Sequence, residues 1–290
     1  MTSQTTQNTF DAAAYKRTTR DQWDAAAEAW HRWGPTLRSW LGPATERMLD
    51  MAGVASGWRV LDVAAGAGDQ TLQTAARVGP GGSVLATDIS PEILVFAAAE
   101  AKRAGHANVA TRPMDAESLD LEDESFDAVI SRLGLMFLPN LPKALSETRR
   151  VLVPEGRVAA IVFSTGDKNG FFSQPVSIVR RHAKLGPPLP GQPGPFSLGA
   201  EGALAKAFRD AGFREVKVEV IAAPLRMKSA AECLRFEKES FGALHQMLSS
   251  LDPAGREAAW DEVASALGSF ENGQAGFVGQ CELLIGVATK

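Results

Sequence analysis

The chain has little with which to hold a metal, a disulfide framework or a membrane. Its two cysteines, Cys233 and Cys281, lie far apart and match no metal-ligand spacing, so they read as small buried hydrophobes in a reducing compartment. No run of 18 apolar residues occurs, and Met1 to Asp11 is polar with no apolar signal core, which leads us to expect a cytoplasmic protein without a membrane span. Positive charge is not in excess: the net charge is −4 and the pI near 5.7, which argues against nucleic acid as a partner. No lysine or arginine falls between residues 60 and 76. No Tyr-x-x-x-Lys pair of a nicotinamide oxidoreductase occurs, nor an Asn-Pro-Pro-Tyr or Asp-Pro-Pro-Tyr of amino-nitrogen methylation. Histidines are only four: His31, His106, His182 and His245.

What is present is an alternation of strands and helices. Residues 1–10 are rich in Thr, Gln and Asn and read as mobile. Trp23, Ala27 and Trp30 predict a helix over about 20–33, and Leu37, Trp40, Leu41, Ala44, Met48 and Met51 a second over 35–52. Strands are expected at 59–63, 83–87, 109–113, 126–131, 157–163, 214–222 and 281–288. Helices are expected at 69–78, 91–104, 141–152, 171–183 and 200–211, and helical structure over 229–268. Strands separated by helices of this length imply a parallel sheet of βαβ units. Four segments follow: an N-terminal helical cap (1–55), a core (56–168), an insertion with a Pro/Gly-rich loop (169–199), and a C-terminal part (200–290) that contains a helical lid over about 229–270.

The stretch from Arg59 to Thr71, Arg-Val-Leu-Asp-Val-Ala-Ala-Gly-Ala-Gly-Asp-Gln-Thr, turns a buried strand into a helix N-terminus. A dinucleotide turn would need a third glycine where Thr71 stands. Asp88, at the end of the second strand, suits the two hydroxyls of a ribose, although capping the next helix would also explain it. Asp62 would repel phosphate and favour a cation, unless it is structural. An adenosine ligand with a cationic end, such as S-adenosylmethionine, fits these residues better than a pyrophosphate does.

Leu61-Asp62-Val63-Ala64-Ala65-Gly66-Ala67-Gly68 resembles motif I of the class I S-adenosylmethionine-dependent methyltransferases. It departs at Ala64, where glycine is usual. The ubiquinone/menaquinone C-methyltransferase branch admits alanine there and continues Gly-Asp-x-Thr, as Gly68-Asp69-Gln70-Thr71 does. Ala86-Thr87-Asp88-Ile89-Ser90, Asp115-Ala116-Glu117 and Phe126 to Arg132 resemble later motifs. Arg149 to Arg157 resembles another, with Glu155 replacing a glycine. The resemblance spans 59–164. It implies a Rossmann-like α/β fold with a mostly parallel seven-stranded sheet, an antiparallel last strand, a helical N-terminal cap and a helical insertion before that last strand.

The resemblance also implies S-adenosylmethionine as cofactor, in contact with Trp30, Asp62, Ala64, Gly66, Gly68, Thr71, Asp88, Ile89, Asp115, Ala116, Ser131 and Arg132. In it Asp115 meets the adenine amino group, and a surface turn is the alternative. Trp30 closes over the methionine end, with core packing as the alternative. Arg132 stands where the quinone enzymes have a small polar residue, so it either has a new role or points away. Methyl transfer is an in-line displacement that needs alignment in a water-poor pocket, where orientation is worth about 7–11 kcal/mol. If a base is needed, His31 ranks first, followed by His182 and His245.

Met136, Phe137, Phe171, Phe172, Phe196, Phe236, Phe241, Met247, Phe270 and Phe277 suggest an apolar, aromatic or prenylated small-molecule acceptor, although most would serve a core equally well. Arg180-Arg181 would serve an anionic acceptor, or simply face solvent. The expected function is C- or O-methylation of a small metabolite. The competing readings are a nicotinamide-dependent oxidoreductase, a non-catalytic donor-binding protein, and a methyltransferase acting on a macromolecule. A homodimer is compatible with the sequence.

Overall fold

The computed structural model describes residues 10–189 and 191–290. The expectation of mobility for residues 1–10 therefore falls almost wholly outside the described residues. Two N-terminal helices come first, α1 (Ala12–Arg32) and α2 (Gly34–Ala52). The core then alternates β1 (Arg59–Val63), α3 (Asp69–Val78), β2 (Ser83–Asp88), α4 (Pro91–Arg103), β3 (Val109–Pro113), β4 (Phe126–Arg132), α5 (Leu141–Val151) and β5 (Leu152–Phe163). There follow α6 (Gly170–His182), α7 (Ala203–Asp210), β6 (Arg214–Ala222), β7 (Leu225–Met227), α8 (Ala230–Ser240), α9 (Gly242–Met247), α10 (Pro253–Gly268), β8 (Phe277–Gly279) and β9 (Glu282–Thr289).

Seven strands form one sheet in the order β3-β2-β1-β4-β5-β9-β6, and β9 alone runs antiparallel to both its neighbours. This is the Rossmann-like sheet expected from the sequence. Strand order reverses between β1 and β4, which opens a crevice at their C-terminal ends, where open α/β sheets bind ligands. The α2 helix buries Leu37, Trp40, Leu41, Met48 and Leu49, and the Trp40 indole donates to the Ala223 carbonyl at 2.7 Å. Among the described residues, no helix is long and apolar enough to cross a membrane.

Several boundaries differ from expectation for identifiable reasons. Helix α1 begins at Ala12, capped by Asp11, whose carboxylate accepts from the Ala14 N–H at 2.9 Å. Its first turns lack an apolar period, and only Ala26 and Ala27 are fully buried along it. Strand β5 begins at Leu152, before Pro154-Glu155-Gly156, because Glu155 adopts a left-handed backbone (φ 64°) and the chain stays extended with a register shift opposite Phe126 and Ala128. The β7–β8 ribbon, three residues a side, is too short for an alternation to show in sequence.

The turn after β1 rests on Asp62. Its carboxylate is 0% exposed and accepts from the Thr71 hydroxyl at 2.6 Å and the Gln70 amide at 3.2 Å. Burial pushes its pKa up to about 7, against the opposing pull of the Thr71 and Gln70 hydrogen bonds. Ala64, where the resembled family commonly carries glycine, takes a left-handed conformation (φ 56°) that costs an alanine about 1–2 kcal/mol. Gly68 (φ 88°) lies so close to α4 that a Cβ there would sit 2.9 Å from the Ala97 Cβ. It thus does the helix-packing work of the absent third glycine.

Two stability measurements follow from these contacts. A Cβ at Gly286 would lie 2.7 Å from Leu204 Cδ2 and 3.0 Å from Phe208 Cε2, both side chains fully buried. Gly286→Ala should therefore lower the urea midpoint, by about 1–3 kcal/mol in unfolding free energy. For Asp62, the folded pKa of about 7 lies above the ordinary 3.8. The folded state then holds a proton that the unfolded state has already released between pH 4 and 7. Stability attributable to this group is full below pH 4 and falls as pH rises to 7, by up to roughly 4 kcal/mol. Asp62→Asn should flatten that slope in denaturation curves taken across the window.

Candidate active site

The crevice between β1 and β4 holds a cavity of about 1160 Å³, its open mouth included. Its floor is the turn Val63-Ala64-Ala65-Gly66, and its side walls come from Asp88 and Ile89 after β2 and from Asp115 and Ala116 after β3. The Asp88 carboxylate is buried and anchors the turn: Oδ2 accepts from the Gly66 N–H and Oδ1 from the Ser90 N–H, each at 3.0 Å. Burial raises its pKa, while the backbone N–H groups of Ser90, Gly66 and Ile89 act in the opposite direction. Each oxygen keeps accepting capacity beyond these bonds.

The cap closes the other side. Trp30 stands over Gly66, its Nε1 being 3.3 Å from where a Cβ would be. The same indole packs edge-on to Trp23 and Phe241, at centroid distances of 5.3 and 6.1 Å. It is a cavity wall and a packed core residue at once. Lys16 ties the cap to the third edge of the crevice, its ammonium 2.6 Å from Asp115 Oδ2 and 2.7 Å from Glu117 Oε2.

Of the residues expected to contact a donor, Trp30, Ala64, Gly66, Asp88, Ile89, Asp115, Ala116 and Arg132 line the cavity. Asp62, Gly68, Thr71 and Ser131 do not. Asp62 and Thr71 are bonded to each other beneath the turn, and Gly68 packs on α4. Ser131 is buried, its Oγ without a partner. These four support the wall from behind. Arg132 turns inward as a tie, donating to Thr45 Oγ1 at 3.1 Å and Asp69 Oδ2 at 3.2 Å, with Asp69 also held by Arg38 at 3.1 Å.

The three candidate histidines lie away from this cavity. His31 stacks on Phe96 at 4.7 Å and lines a separate recess on the other side of Trp30, with Arg38, Ala67 and Asp69. His182 Nε2 lies 2.9 Å from Glu262 Oε2, joining α6 to α10. His245 Nε2 lies 2.7 Å from the Lys238 carbonyl and beside Trp260. Each ring is engaged on a helix surface, so none is positioned as a base for chemistry in the crevice.

Among the cavity-lining residues that the sequence did not assign to the site are Tyr15, Lys16 and Thr19 of α1, and Gln70. The first three lie in the turns that sequence periodicity missed, and Asp11 before Ala12 was the available signal for them. Gln70 donates to Asp62 and to the Ala65 carbonyl at 3.1 Å.

A second, more apolar cavity of about 1780 Å³, its open mouth included, adjoins the first, and Tyr15, Thr19, Trp23, Phe137, Phe172 and Phe241 line both. Phe196 and Met247 line the second alone, whereas Phe171, Phe236 and Phe277 are fully buried core. Burial pushes the Tyr15 phenol above its usual pKa, against a hydrogen bond from Thr19. Among the described residues, no group of three or more His, Cys, Asp or Glu side chains converges to hold a metal ion.

Residues 60–156 match the methyltransferase domain family. A nocamycin O-methyltransferase of Saccharothrix syringae is 30% identical over 196 residues, covering 60% of this chain and 66% of that protein. A ubiquinone/menaquinone biosynthesis C-methyltransferase of Idiomarina loihiensis is 38% identical over 117 residues, covering 40% of this chain and 47% of that protein. The chain thus spans about half to two-thirds of the length of the curated relatives it matches. The crystal structure of a putative methyltransferase from Bacillus halodurans shares the fold, with a TM-score of 0.57 at 21% identity over 85% of this chain and 98% of that one. Residues 60–156 thus carry a methyltransferase domain of the class I S-adenosylmethionine-dependent type, set in the Rossmann-like sheet.

Proposed function

We propose that the chain transfers the methyl group of S-adenosylmethionine to a small, largely apolar acceptor carrying an aromatic or similarly flat group. The observation that carries this reading is the pair of adjoining cavities. One is bounded by the motif I turn and Asp88, the other by phenylalanines, and six side chains line both. Relatives named for methyl transfer to oxygen and to carbon support the reaction class and leave the accepting atom open between the two.

The residues of the first cavity fit such a donor. Asp88 offers carboxylate oxygens to a ribose, Asp115 and Ala116 flank the position of an adenine, and Gly66 leaves room beneath the Trp30 indole. Asp62 does not supply charge at the surface, because it is enclosed and bonded to Thr71 and Gln70. Attraction for a cationic centre falls instead to aromatic faces, Trp30 among them. When bound, the donor supplies an electrophilic methyl group on a positively charged sulfur. The protein's share is to align that methyl group with the acceptor and keep water out, which the Phe137, Phe172 and Phe241 wall provides. With the histidines turned away, proton removal is not assigned to an imidazole.

Calorimetric titration with S-adenosylmethionine and with NAD tests the donor: the first should bind and the second should not. Asp88→Asn should weaken S-adenosylmethionine at least about tenfold, roughly 1.4 kcal/mol, and an unchanged affinity would remove the ribose assignment. In the same titration His31→Ala, His182→Ala and His245→Ala should each stay within about twofold of wild type, a change too small to mark a direct contact.

A further inference from the structure

Helix α8 buries two polar side chains that have no partner. Both carboxyl oxygens of Glu237 and the Oγ of Ser240 are enclosed and unbonded, with Glu237 0% and Ser240 1% exposed. Such groups are costly to keep, and buried polar atoms in folded proteins are nearly always satisfied. The rest of the buried α8 face is ordinary core: Ala230, Cys233 and Phe236.

The placement of the pair suggests what would satisfy it. Residues three apart on a helix are neighbours on one face, and Ser240 lies on the wall of the second cavity. Phe172, Val176, Phe241, Leu244 and Met247 share that wall, while Gln22, Arg180, Gln192 and Gln246 also line the cavity. Burial lifts the Glu237 carboxyl well above the ordinary carboxylate range, which favours its neutral form. A neutral carboxyl and a hydroxyl can each donate and accept. Neither residue lines the first cavity; Ser240 lines the second, and Glu237 is enclosed one helical turn before it, so the pair is set at a distance from the transferred methyl group.

We propose that Ser240, backed by the enclosed carboxyl of Glu237 one helical turn away, forms a polar anchor on the wall of the second cavity and recognises a neutral hydroxyl on an otherwise apolar, aromatic acceptor. This rests on the reading of the second cavity as the acceptor site. In a mostly apolar pocket, a buried hydroxyl still without a partner fixes the orientation of a flat ligand that shape alone would leave free to rotate. A ligand lacking the hydroxyl would leave buried polar groups unpaired, and that is where discrimination arises.

The test uses 2-naphthol and its methyl ether 2-methoxynaphthalene as probes, followed by quenching of tryptophan fluorescence, since Trp23 lines the cavity. Wild type should prefer 2-naphthol by about tenfold or more. Glu237→Met and Ser240→Ala should each bring the ratio close to one while leaving S-adenosylmethionine affinity unchanged. Glu237→Met should also raise Tm, because it removes an unpaired buried polar group. If Glu237→Met does not fold, the Ser240→Ala ratio decides. No preference in wild type, no binding of either probe, or a preference that survives in the variants would overturn the proposal, as would a lowered Tm with the ratio intact. Donor titration of the wild type is read separately: donor binding without a naphthol preference sinks the anchor alone. A naphthol preference without donor binding sinks the proposed function and leaves the hydroxyl-binding site standing.

Discussion

The enclosed carboxyl of Asp62 is the constraint on which the turn depends. A carboxyl taken out of water is unfavourable unless its oxygens are bonded. Here the bonds come from Thr71 and Gln70, the first turn of α3. Meeting that requirement pins the start of α3 to β1 and sets the left-handed course of Ala64, Gly66 and Gly68 between them. Gly66 then points its N–H at Asp88, which links the turn to β2, and the Gly68–Ala97 approach brings α4 against it. Two strands and two helices are thereby held around the floor of the cavity.

The sheet was legible because its signal is redundant. Each strand is a short apolar run, each connecting helix has a stop or a cap, and Ser90, Ser229 and Asp252 each cap a helix N-terminus. Ligand-facing direction was less legible. Asp62 and Asp88 are both acidic residues at strand ends, yet one lies beneath the turn and the other on the cavity wall. That difference depends on which strand face each occupies and on what lies behind it, which no local pattern encodes. The histidines fail for the same reason: residue type suggested chemistry, but Phe96, Glu262 and the Lys238 carbonyl had already engaged them. The two departures from the family pattern, Ala64 and Glu155, keep the left-handed backbone that glycine would have adopted at lower cost, at φ 56° and 64°. Glycine in a motif stands for a dihedral angle, and the angle outlasts the residue.

The C-terminal helices show the opposite balance. Their packing is mostly apolar, with aromatic side chains meeting at 4.5–6.4 Å between Trp30, Phe172, Phe236 and Phe241. Against that background two unbonded polar groups on α8 are exceptions to local consistency, and such exceptions concentrate where structure serves a ligand and not the fold itself.

The wall common to the two cavities has a thermodynamic consequence. Phe137, Phe172 and Phe241 cannot move for one occupant without altering the space offered to the other. Any ligand that fixes these rings on one side changes affinity on the other, and by linkage the factor is the same in both directions. The aromatic partition therefore couples the two cavities through the side chains that line both, and a substitution in it would be read out in two binding constants at once.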